Sequence, residues 1–216
     1  MTSSPKIEAT DLAALICSKV CHDIINPVGA IINGLEVLGD DDGGDMKDMA
    51  MELIWKSAEA ASSQLKFARF AFGAAGSAGA LMDLGDIRQV ATDYITTDKV
   101  TMDWTSPMGQ LPKDDAKLLL NMIMIAPSTI VHGGTVSIVV DEDLASPRFT
   151  IAMQGRAAAI PDDIEALFRG DVDLDSLDAR KIQPYFLGLV ARSVGAEVAF
   201  RQIGEGAVEI SATIAR

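Results

Sequence analysis

The chain has 216 residues, of which 49% are hydrophobic, and its 31 acidic and 18 basic side chains give a formal net charge of −13. This length allows one large or two small domains with buried cores. The acidic balance argues against nucleic acid or an anionic membrane surface as a partner. The sequence has neither a secretory signal nor a run of the roughly 18–20 apolar residues that a membrane span needs, so we expect a cytoplasmic protein.

The first predicted element is a long helix. It begins near Ser4-Pro5, with proline in its first turn, or near Thr10-Asp11, and it ends at about Leu38. Its apolar residues recur every three or four positions, as on a helix that packs lengthwise against other helices. They are Cys21, Ile24, Val28, Ile31, Leu35 and Leu38. A second row on this helix is polar or small and is predicted to face solvent: His22, Asn26, Gly29, Asn33 and Glu36.

His22 and its neighbours are the most informative part of this helix. Asp23 follows His22 directly, and Asn26 and Pro27 come one turn later. A neutral imidazole near pH 7 has a free lone pair that can accept a phosphoryl group, and an adjacent carboxylate can hold its other ring nitrogen. Pro27 inside a helix removes a backbone hydrogen bond, at a cost of roughly 3 kcal/mol. An exposed helical histidine is also often an ordinary surface residue, so the periodicity alone leaves both interpretations open.

A second long helix is predicted after a glycine- and aspartate-rich turn at 39–44. Asp45 is its expected N-cap, and it extends to about Phe72. The short turn makes the two helices antiparallel. Two such helices cannot bury two apolar stripes between them, and no later segment resembles another long helix of this kind. We therefore predict a homodimer in which two antiparallel hairpins form a four-helix bundle.

The pattern changes after a run of small residues at 73–80. We place the boundary at residue 76, which gives a helical domain at 1–76 and a second domain at 77–216. The second domain is predicted to be α+β, with a sheet on one side and helices on the other. Its predicted helices are 84–97, 112–126, 161–168 and 177–194. Its predicted strands are 100–104, 135–140, 148–153, 196–202 and 207–214.

The segment His22-Asp23-Ile24-Ile25-Asn26-Pro27 resembles the H-box of two-component histidine kinases, whose histidine carries the phosphoryl group. The predicted hairpin is similar to the dimeric helical domain of those kinases. The order of elements after it resembles their ATP-binding domain, with the N-box and the next strand at 118–136 and the end of the glycine box and the phenylalanine box at 159–168. The resemblance covers nearly the whole chain, in pattern more than in identity, and implies that His22 is phosphorylated.

The residues that bind nucleotide in those kinases are replaced here. In the register of the resemblance, Ile125 stands where an asparagine would hold Mg²⁺, and Gly155 where an aspartate would recognise adenine. Ala157 and Ala159 replace two glycines of the glycine box, and the second phosphate loop falls at 181–184, where a proline removes an N–H donor. A triphosphate then loses most of its binding and transition-state stabilisation. This combination is similar to histidine phosphotransferases of the ChpT type in alphaproteobacteria.

That resemblance implies a phosphorelay intermediate. It would take a phosphoryl group from the receiver aspartate of a hybrid histidine kinase and pass it to response regulators, including regulators of the cell cycle. His22 would be the nucleophile, Asp23 would orient or deprotonate the imidazole, and Asn26 would hydrogen-bond the phosphoryl oxygens or the departing carboxylate. The predicted docking surface for the receiver consists of Ile25, Gly29, Asn33, Glu36, Trp55, Glu59 and Ser62.

No cofactor or metal of the chain's own is expected, because the receiver brings the Mg²⁺. Cys17 and Cys21 lie one turn apart without a second pair of ligands, so we interpret them as packing residues instead of zinc ligands. The chain would therefore be a phosphohistidine carrier and not an ATP-dependent kinase. Two alternatives stay open: a dimeric scaffold that binds receivers without transferring phosphate, and a kinase that still uses ATP.

Overall fold

The computed structural model describes residues 7–39, 46–73 and 80–216. Of the turn predicted at 39–44, Gly39 is the last residue of the first helix, and the other residues of the turn, the predicted N-cap Asp45 and most of the small-residue linker lie outside the described residues. The helices in the described part are Ala9–Gly39 (α1), Met46–Phe72 (α2), Leu84–Ile95 (α3), Lys113–Ile123 (α4), Ala126–Thr129 (α5), Ile164–Arg169 (α6) and Ile182–Val194 (α7). The strands are Leu81–Asp83 (β1), Val100–Thr105 (β2), Gln110–Pro112 (β3), Gly134–Val140 (β4), Arg148–Gln154 (β5), Ala196–Gly204 (β6) and Ala207–Ile214 (β7).

The two long helices form the predicted hairpin, and they touch where the side chains are small. A Cβ atom added at Gly34 of α1 would lie 2.6 Å from Ile54 Cγ1 and 3.1 Å from the Ala50 carbonyl oxygen of α2. Gly34 thus permits a close approach of the two backbones. The predicted apolar stripe of α1 divides here: Ile24, Ile31 and Leu38 are half-buried, whereas Cys21, Val28 and Leu35 stay exposed.

A five-stranded mixed sheet organises the rest of the chain, in the order β2-β4-β5-β7-β6. β2 and β4 are parallel, and the other neighbours are antiparallel. Alternate residues of the central strands are fully buried on one face: Val136, Ile138, Phe149, Ile151, Met153, Val208 and Ile210. Helices α3, α4 and α7 cover that face and contribute Ile87, Leu119 and Leu187 to the same core. The predicted α+β class, with helices on one side of the sheet, is confirmed.

Two features differ from the sequence prediction. The last long helix begins at Ile182 and not near 177, because the segment before it folds into a 3-10 turn at Leu174–Ser176 and then a capping turn. In that turn the Asp178 carboxylate accepts hydrogen bonds from the backbone N–H groups of Arg180 (2.8 Å) and Lys181 (2.9 Å). The short antiparallel pair β1–β3 was not predicted, because three-residue strands carry too little alternation to be recognised.

The hairpin packs against the C-terminal unit through side chains of both. Phe67 of α2 is fully buried and stacks on Tyr94 of α3, with ring centroids 4.1 Å apart. Asn121 of α4 donates a hydrogen bond from Nδ2 to the Ala71 carbonyl oxygen of α2, at 2.9 Å. The first turns of α1 also lie on an apolar cluster formed by Leu167, Leu177, Ile182 and Tyr185. These contacts determine which face of α1 lies against the C-terminal unit.

Helix α1 is long and apolar enough to cross a membrane by length and composition alone, with a mean hydropathy of 1.4 over its most apolar 18-residue window. Among the described residues it is the one helix that meets this criterion. Helices of soluble proteins meet it too, so the finding is weak evidence of a membrane span. The sequence-based expectation of a cytoplasmic protein therefore stays a prediction.

Candidate functional site

His22 lies near the middle of α1, and its side chain is 50% exposed. Its Nδ1 atom is 3.4 Å from Oδ1 of Asp23, and the other carboxylate oxygen of Asp23 is 2.5 Å from Nζ of Lys19, one turn earlier. The helical repeat places these three side chains together. The carboxylate is thus held between an ammonium group and the imidazole, with the Nε2 atom of the imidazole on the far side of the ring.

The imidazole does not simply face bulk solvent. His22, Asp23 and Asn26 line a cleft of about 620 Å³ between the hairpin and the C-terminal unit. The C-terminal unit contributes residues from α3, the end of α4, the segment before α6 and the start of α7. Among them are Tyr94, Ile125, Ser128, Asp163, Arg180, Lys181 and Gln183. The sequence analysis predicted an exposed histidine but not this second wall, because the wall comes from elements far away in the chain.

Tyr94 is the residue of that wall whose phenol senses the charge of Asp23. Burial raises the pKa of the Tyr94 phenol above its usual range, and the negative charge of Asp23 raises this pKa further. The phenol therefore stays protonated at every physiological pH. A neutral phenol carries no charge that could neutralise the Asp23 carboxylate. The positive charge of Lys19 neutralises it instead.

The start of α7 brings two cations to the opposite side of the cleft, Arg180 and Lys181. The pKa of Asp178 is lowered mainly by the hydrogen bonds from the backbone N–H groups of Lys181 and Arg180. The charges of these two side chains lower it further. This carboxylate therefore stays ionised and holds the turn in place over the neutral pH range. The only sequence signal for this wall was the alignment of 181–184 with the former phosphate loop of the kinases.

An apolar groove runs along a different face of α1. It is lined by Val20, Cys21, Ile24, Ile25, Val28, Gly29, Ile32 and, from α2, Leu65. Ile25 is 67% exposed and Leu35, further along the same face, is 55% exposed. Cys17 and Cys21 are exposed as well, so within the described residues they do not belong to the buried core. A helix face this apolar is unusual on a surface that remains in water.

The residues predicted to dock a receiver divide between these surfaces. Ile25 and Gly29 line the apolar groove, whereas Asn33 and Glu36 are exposed on the row that continues from His22. Trp55, Glu59 and Ser62 are exposed on α2. None of these last three lines the cleft that contains His22, where α2 is represented by Gln64.

Two positions that the resemblance aligned with the nucleotide-binding residues of histidine kinases carry no side chain that could bind a nucleotide or its metal ion. Ile125, in place of the Mg²⁺-binding asparagine, is only 2% exposed. A Cβ atom at Gly155, in place of the adenine-binding aspartate, would lie 2.3 Å from the Gly133 carbonyl oxygen, so no side chain fits there. Within the described residues, no group of three or more histidine, cysteine or acidic side chains could hold a metal ion.

The fold and the site together define a class of protein, namely one built like the histidine kinases. The histidine kinase domain of the blue-light activated histidine kinase from Erythrobacter litoralis EL346 has the same fold, with a TM-score of 0.50 over 95% of each chain and 13% identity. A bacterial phosphotransferase of known structure is much more similar, with a TM-score of 0.86 and 39% identity over 97% of this chain and 98% of that one.

Sequence comparisons narrow the class to a family. Residues 84–206 match the family described as the histidine phosphotransferase C-terminal domain. The protein phosphotransferase ChpT of Brucella abortus (strain 2308) is 43% identical over 202 residues, which cover 94% of this chain and 95% of that protein. The chain therefore belongs to the family of ChpT-type histidine phosphotransferases.

Proposed function

We propose that the chain is a phosphorelay intermediate in which His22 carries a phosphoryl group between receiver domains. The observation that supports this most directly is the placement of His22, half-exposed at the cleft and with Asp23 on its Nδ1 side. A carboxylate only accepts hydrogen bonds, so it favours the tautomer with the proton on Nδ1. The lone pair of Nε2 is then available for attack.

In the proposed step, Nε2 attacks the phosphorus atom of an acyl phosphate on the receiver's aspartate. The P–O bond breaks, its electron pair leaves with the aspartate carboxylate, and a P–N bond forms on His22. The imidazole is cationic until its Nδ1 proton departs, and Asp23 stabilises that charge. Asn26 lies one turn along the same helix and also lines the cleft, so its amide is placed to donate to a phosphoryl oxygen. The receiver would supply the Mg²⁺, and this chain would need no cofactor.

We propose a phosphorylated receiver as the donor, because the remnants of the nucleotide site do not suit ATP. Buried Ile125 offers no oxygen to Mg²⁺, and crowding at Gly155 excludes an adenine-binding carboxylate. Pro184, in the first turn of α7, cannot donate a backbone hydrogen bond to a phosphate. Phosphoryl transfer from ATP depends on such metal and amide contacts.

We also propose that the working unit is a homodimer, as the sequence predicted. The apolar groove of α1 contains exposed Ile25, Val28 and Ile32 over several helical turns. A second hairpin placed against this groove would complete a four-helix bundle and remove these side chains from water. Residues 1–76 and 77–216 would then act as a dimerisation and phosphotransfer domain and an ATPase-like domain, respectively.

For the receiver we propose a surface centred on the exposed row of α1. Asn33 and Glu36 extend this row from His22 toward the end of the helix. Ile25 and Gly29 lie at the border of the apolar groove and would touch either the receiver or the second protomer. Trp55, Glu59 and Ser62 remain predicted contacts on α2. Response regulators of the cell cycle are the proposed recipients, and the cytoplasm is the proposed location.

Replacement of His22 tests the proposal. The His22→Gln variant and the wild type would each be mixed with a receiver domain carrying labelled phosphate, and the transferred label would be followed on a gel. We expect complete loss of label in the variant, because His22 is the one imidazole among the described residues that line the cleft. The matched control is His132→Gln, which changes an exposed histidine in a turn of the C-terminal unit. Label that persists in His22→Gln would contradict the assignment, whereas a receiver complex without any transfer to wild type would favour the scaffold alternative.

A further inference from the structure

The cleft beside His22 differs in charge from the rest of this acidic chain. Three cationic side chains line it, Lys19, Arg180 and Lys181, together with two carboxylates, Asp23 and Asp163. Lys19 is paired with Asp23. Within the described residues, neither the Arg180 guanidinium nor the Lys181 ammonium group forms a salt bridge. The charges of both act on the Asp178 carboxylate, which accepts their backbone N–H groups and forms no salt bridge with either side chain.

The cations belong to a segment that is held firmly in place. The Asp178 carboxylate accepts the backbone N–H groups of Arg180 and Lys181 at 2.8 and 2.9 Å, and the Asp178 carbonyl oxygen accepts the N–H of Ile182 at 3.0 Å. α7 starts immediately afterwards. Its N-terminal end, where the helix dipole favours negative charge, therefore faces the cleft together with the two cations.

A buried chain of hydrogen bonds connects this segment to the hairpin. Gln183 is only 4% exposed, and its Nε2 atom donates to Oδ1 of Asn121 at 3.0 Å. Nδ2 of Asn121 in turn donates to the Ala71 carbonyl oxygen of α2 at 2.9 Å. The chain thus runs from α2 through α4 to α7. It keeps Arg180 and Lys181 at a set position relative to the hairpin that carries His22.

The base of the cleft also contains polar atoms without a partner among the described residues. Oε1 of Gln183 and Oε1 of Gln64 are buried and accept no hydrogen bond, and both residues line the cleft. Buried polar groups in proteins are nearly always satisfied, and exceptions concentrate at functional sites. These two oxygens can accept hydrogen bonds from water or from a donor group of a ligand, whereas the cationic side chains of the cleft suit an anion.

We propose that Arg180 and Lys181 bind the phosphoryl group while it resides on His22, an inference that rests on the proposed function. A phosphoryl group carries about 1.5 to 2 negative charges near neutral pH and has three oxygen atoms that accept hydrogen bonds. On His22 it would lie beside the carboxylates of Asp23 and Asp163. The two cations offset that repulsion, and they belong to the same chain, so they act before a receiver docks. The chemical class of the ligand is a phosphate dianion, which could also be supplied by free inorganic phosphate.

The experiment uses the full chain, phosphorylated with phosphoramidate so that no receiver is present. The ³¹P resonance of the phosphohistidine is followed against pH, and the midpoint of its second protonation is compared between wild type and the double variant Arg180→Gln, Lys181→Gln. We expect the midpoint to rise by about 0.5 pH unit or more in the variant, because the lost cations no longer favour the dianion. The control Arg201→Gln removes an exposed arginine of β6 and is expected to leave the midpoint unchanged.

The possible outcomes separate this inference from the proposed function. Equal midpoints in wild type and double variant would overturn the inference while leaving phosphorylation of His22 intact. A phosphohistidine signal that is unchanged in His22→Gln would overturn the proposed function and the inference together. In a second arm, unphosphorylated protein is titrated with inorganic phosphate. Amide shifts confined to the start of α7 in that arm, with equal midpoints in the first arm, would identify a site for the free anion and contradict binding of the phosphohistidine.

Discussion

The helical hairpin and the C-terminal unit use their apolar residues in different ways. Only Gly34 is buried in α1, which has 31 residues, whereas most of α4 is buried between the sheet and α2. The apolar side chains of the C-terminal unit converge on a core of its own. Those of α1 form an exposed groove. The apolar residues of the C-terminal unit are thus used for its own folding, whereas those of α1 stay available for the contacts with a second protomer that we propose.

The largest expected effect comes from placing charges in the apolar groove of α1, which should dissociate the proposed dimer. Val28→Glu combined with Ile32→Glu would place four carboxylates in the proposed interface without partners. A cost of about 4 kcal/mol corresponds to roughly 1,000-fold weaker association. Light scattering after gel filtration would measure the mass. The control is Met108→Glu, which changes a fully exposed apolar residue of the C-terminal unit. A wild type that is already monomeric, or a double variant that stays dimeric, would contradict the proposed interface.

A smaller effect is expected from the ion pair that ties the last residue to the C-terminal core. Arg216 donates from Nη2 to both carboxylate oxygens of Asp115, at 2.7 and 2.6 Å, and the Asp115 side chain is 1% exposed. Arg216→Gln leaves this buried carboxylate without its partner. We expect the free energy of unfolding to fall by about 2–3 kcal/mol at neutral pH, since the guanidinium itself is partly exposed. Urea unfolding at pH 7.5 measures this change.

The same variant should show a defined pH dependence. Burial raises the pKa of Asp115, and the charge of Arg216 offsets part of that increase. Because the folded state holds this proton more tightly than the unfolded state, the carboxyl stabilises the fold in acid, and this contribution is lost as pH rises. Without Arg216 the pKa rises further, so the deficit of Arg216→Gln should shrink on acidification from pH 7.5 to pH 5. A deficit that is constant with pH would contradict an uncompensated charge as its cause.

A still smaller effect should come from the hydrogen-bond chain between the two regions. Asn121→Ala removes the side-chain donor to the buried Ala71 carbonyl oxygen and the shorter of the two hydrogen bonds of Gln183 Nε2, and it keeps the 3.3 Å bond to the backbone carbonyl oxygen of residue 121. We expect a loss of about 2 kcal/mol in urea unfolding, with faster amide hydrogen exchange at the start of α7. Gln89→Ala, which removes an exposed hydrogen bond to Asp93, should cost less than about 0.5 kcal/mol. Equal costs for the two variants would argue against a structural role for the chain.

The sequence predicted most of the fold because local signals and the family pattern agreed. Pro27 was recognised inside α1, and alternation in β4, β5 and β7 gave strands that the structure confirms within two residues. The start of α7 was wrong because Asp178 caps a turn whose residues are compatible with a helix. Such competition between a side chain and the helix for backbone N–H groups depends on geometry that periodicity does not reveal.

The site was predicted only in part, for a related reason. The H-box identified His22, Asp23 and Asn26 from one contiguous segment. The opposite wall, with Tyr94, Arg180 and Lys181, comes from α3 and the start of α7 and is assembled only by tertiary packing. No spacing rule connects residues so far apart in the chain, so the alignment of 181–184 with a phosphate loop was the one sequence signal for this wall.

The most direct test of the central claim is a comparison of phosphoryl donors on the purified wild-type chain. One sample receives labelled ATP with Mg²⁺, and the other receives a labelled phosphorylated receiver domain. We expect label on His22 from the receiver and none from ATP, because buried Ile125 and crowded Gly155 supply no side chain for the metal ion or the adenine. Label from ATP, lost in His22→Gln, would make the chain a kinase and contradict the account.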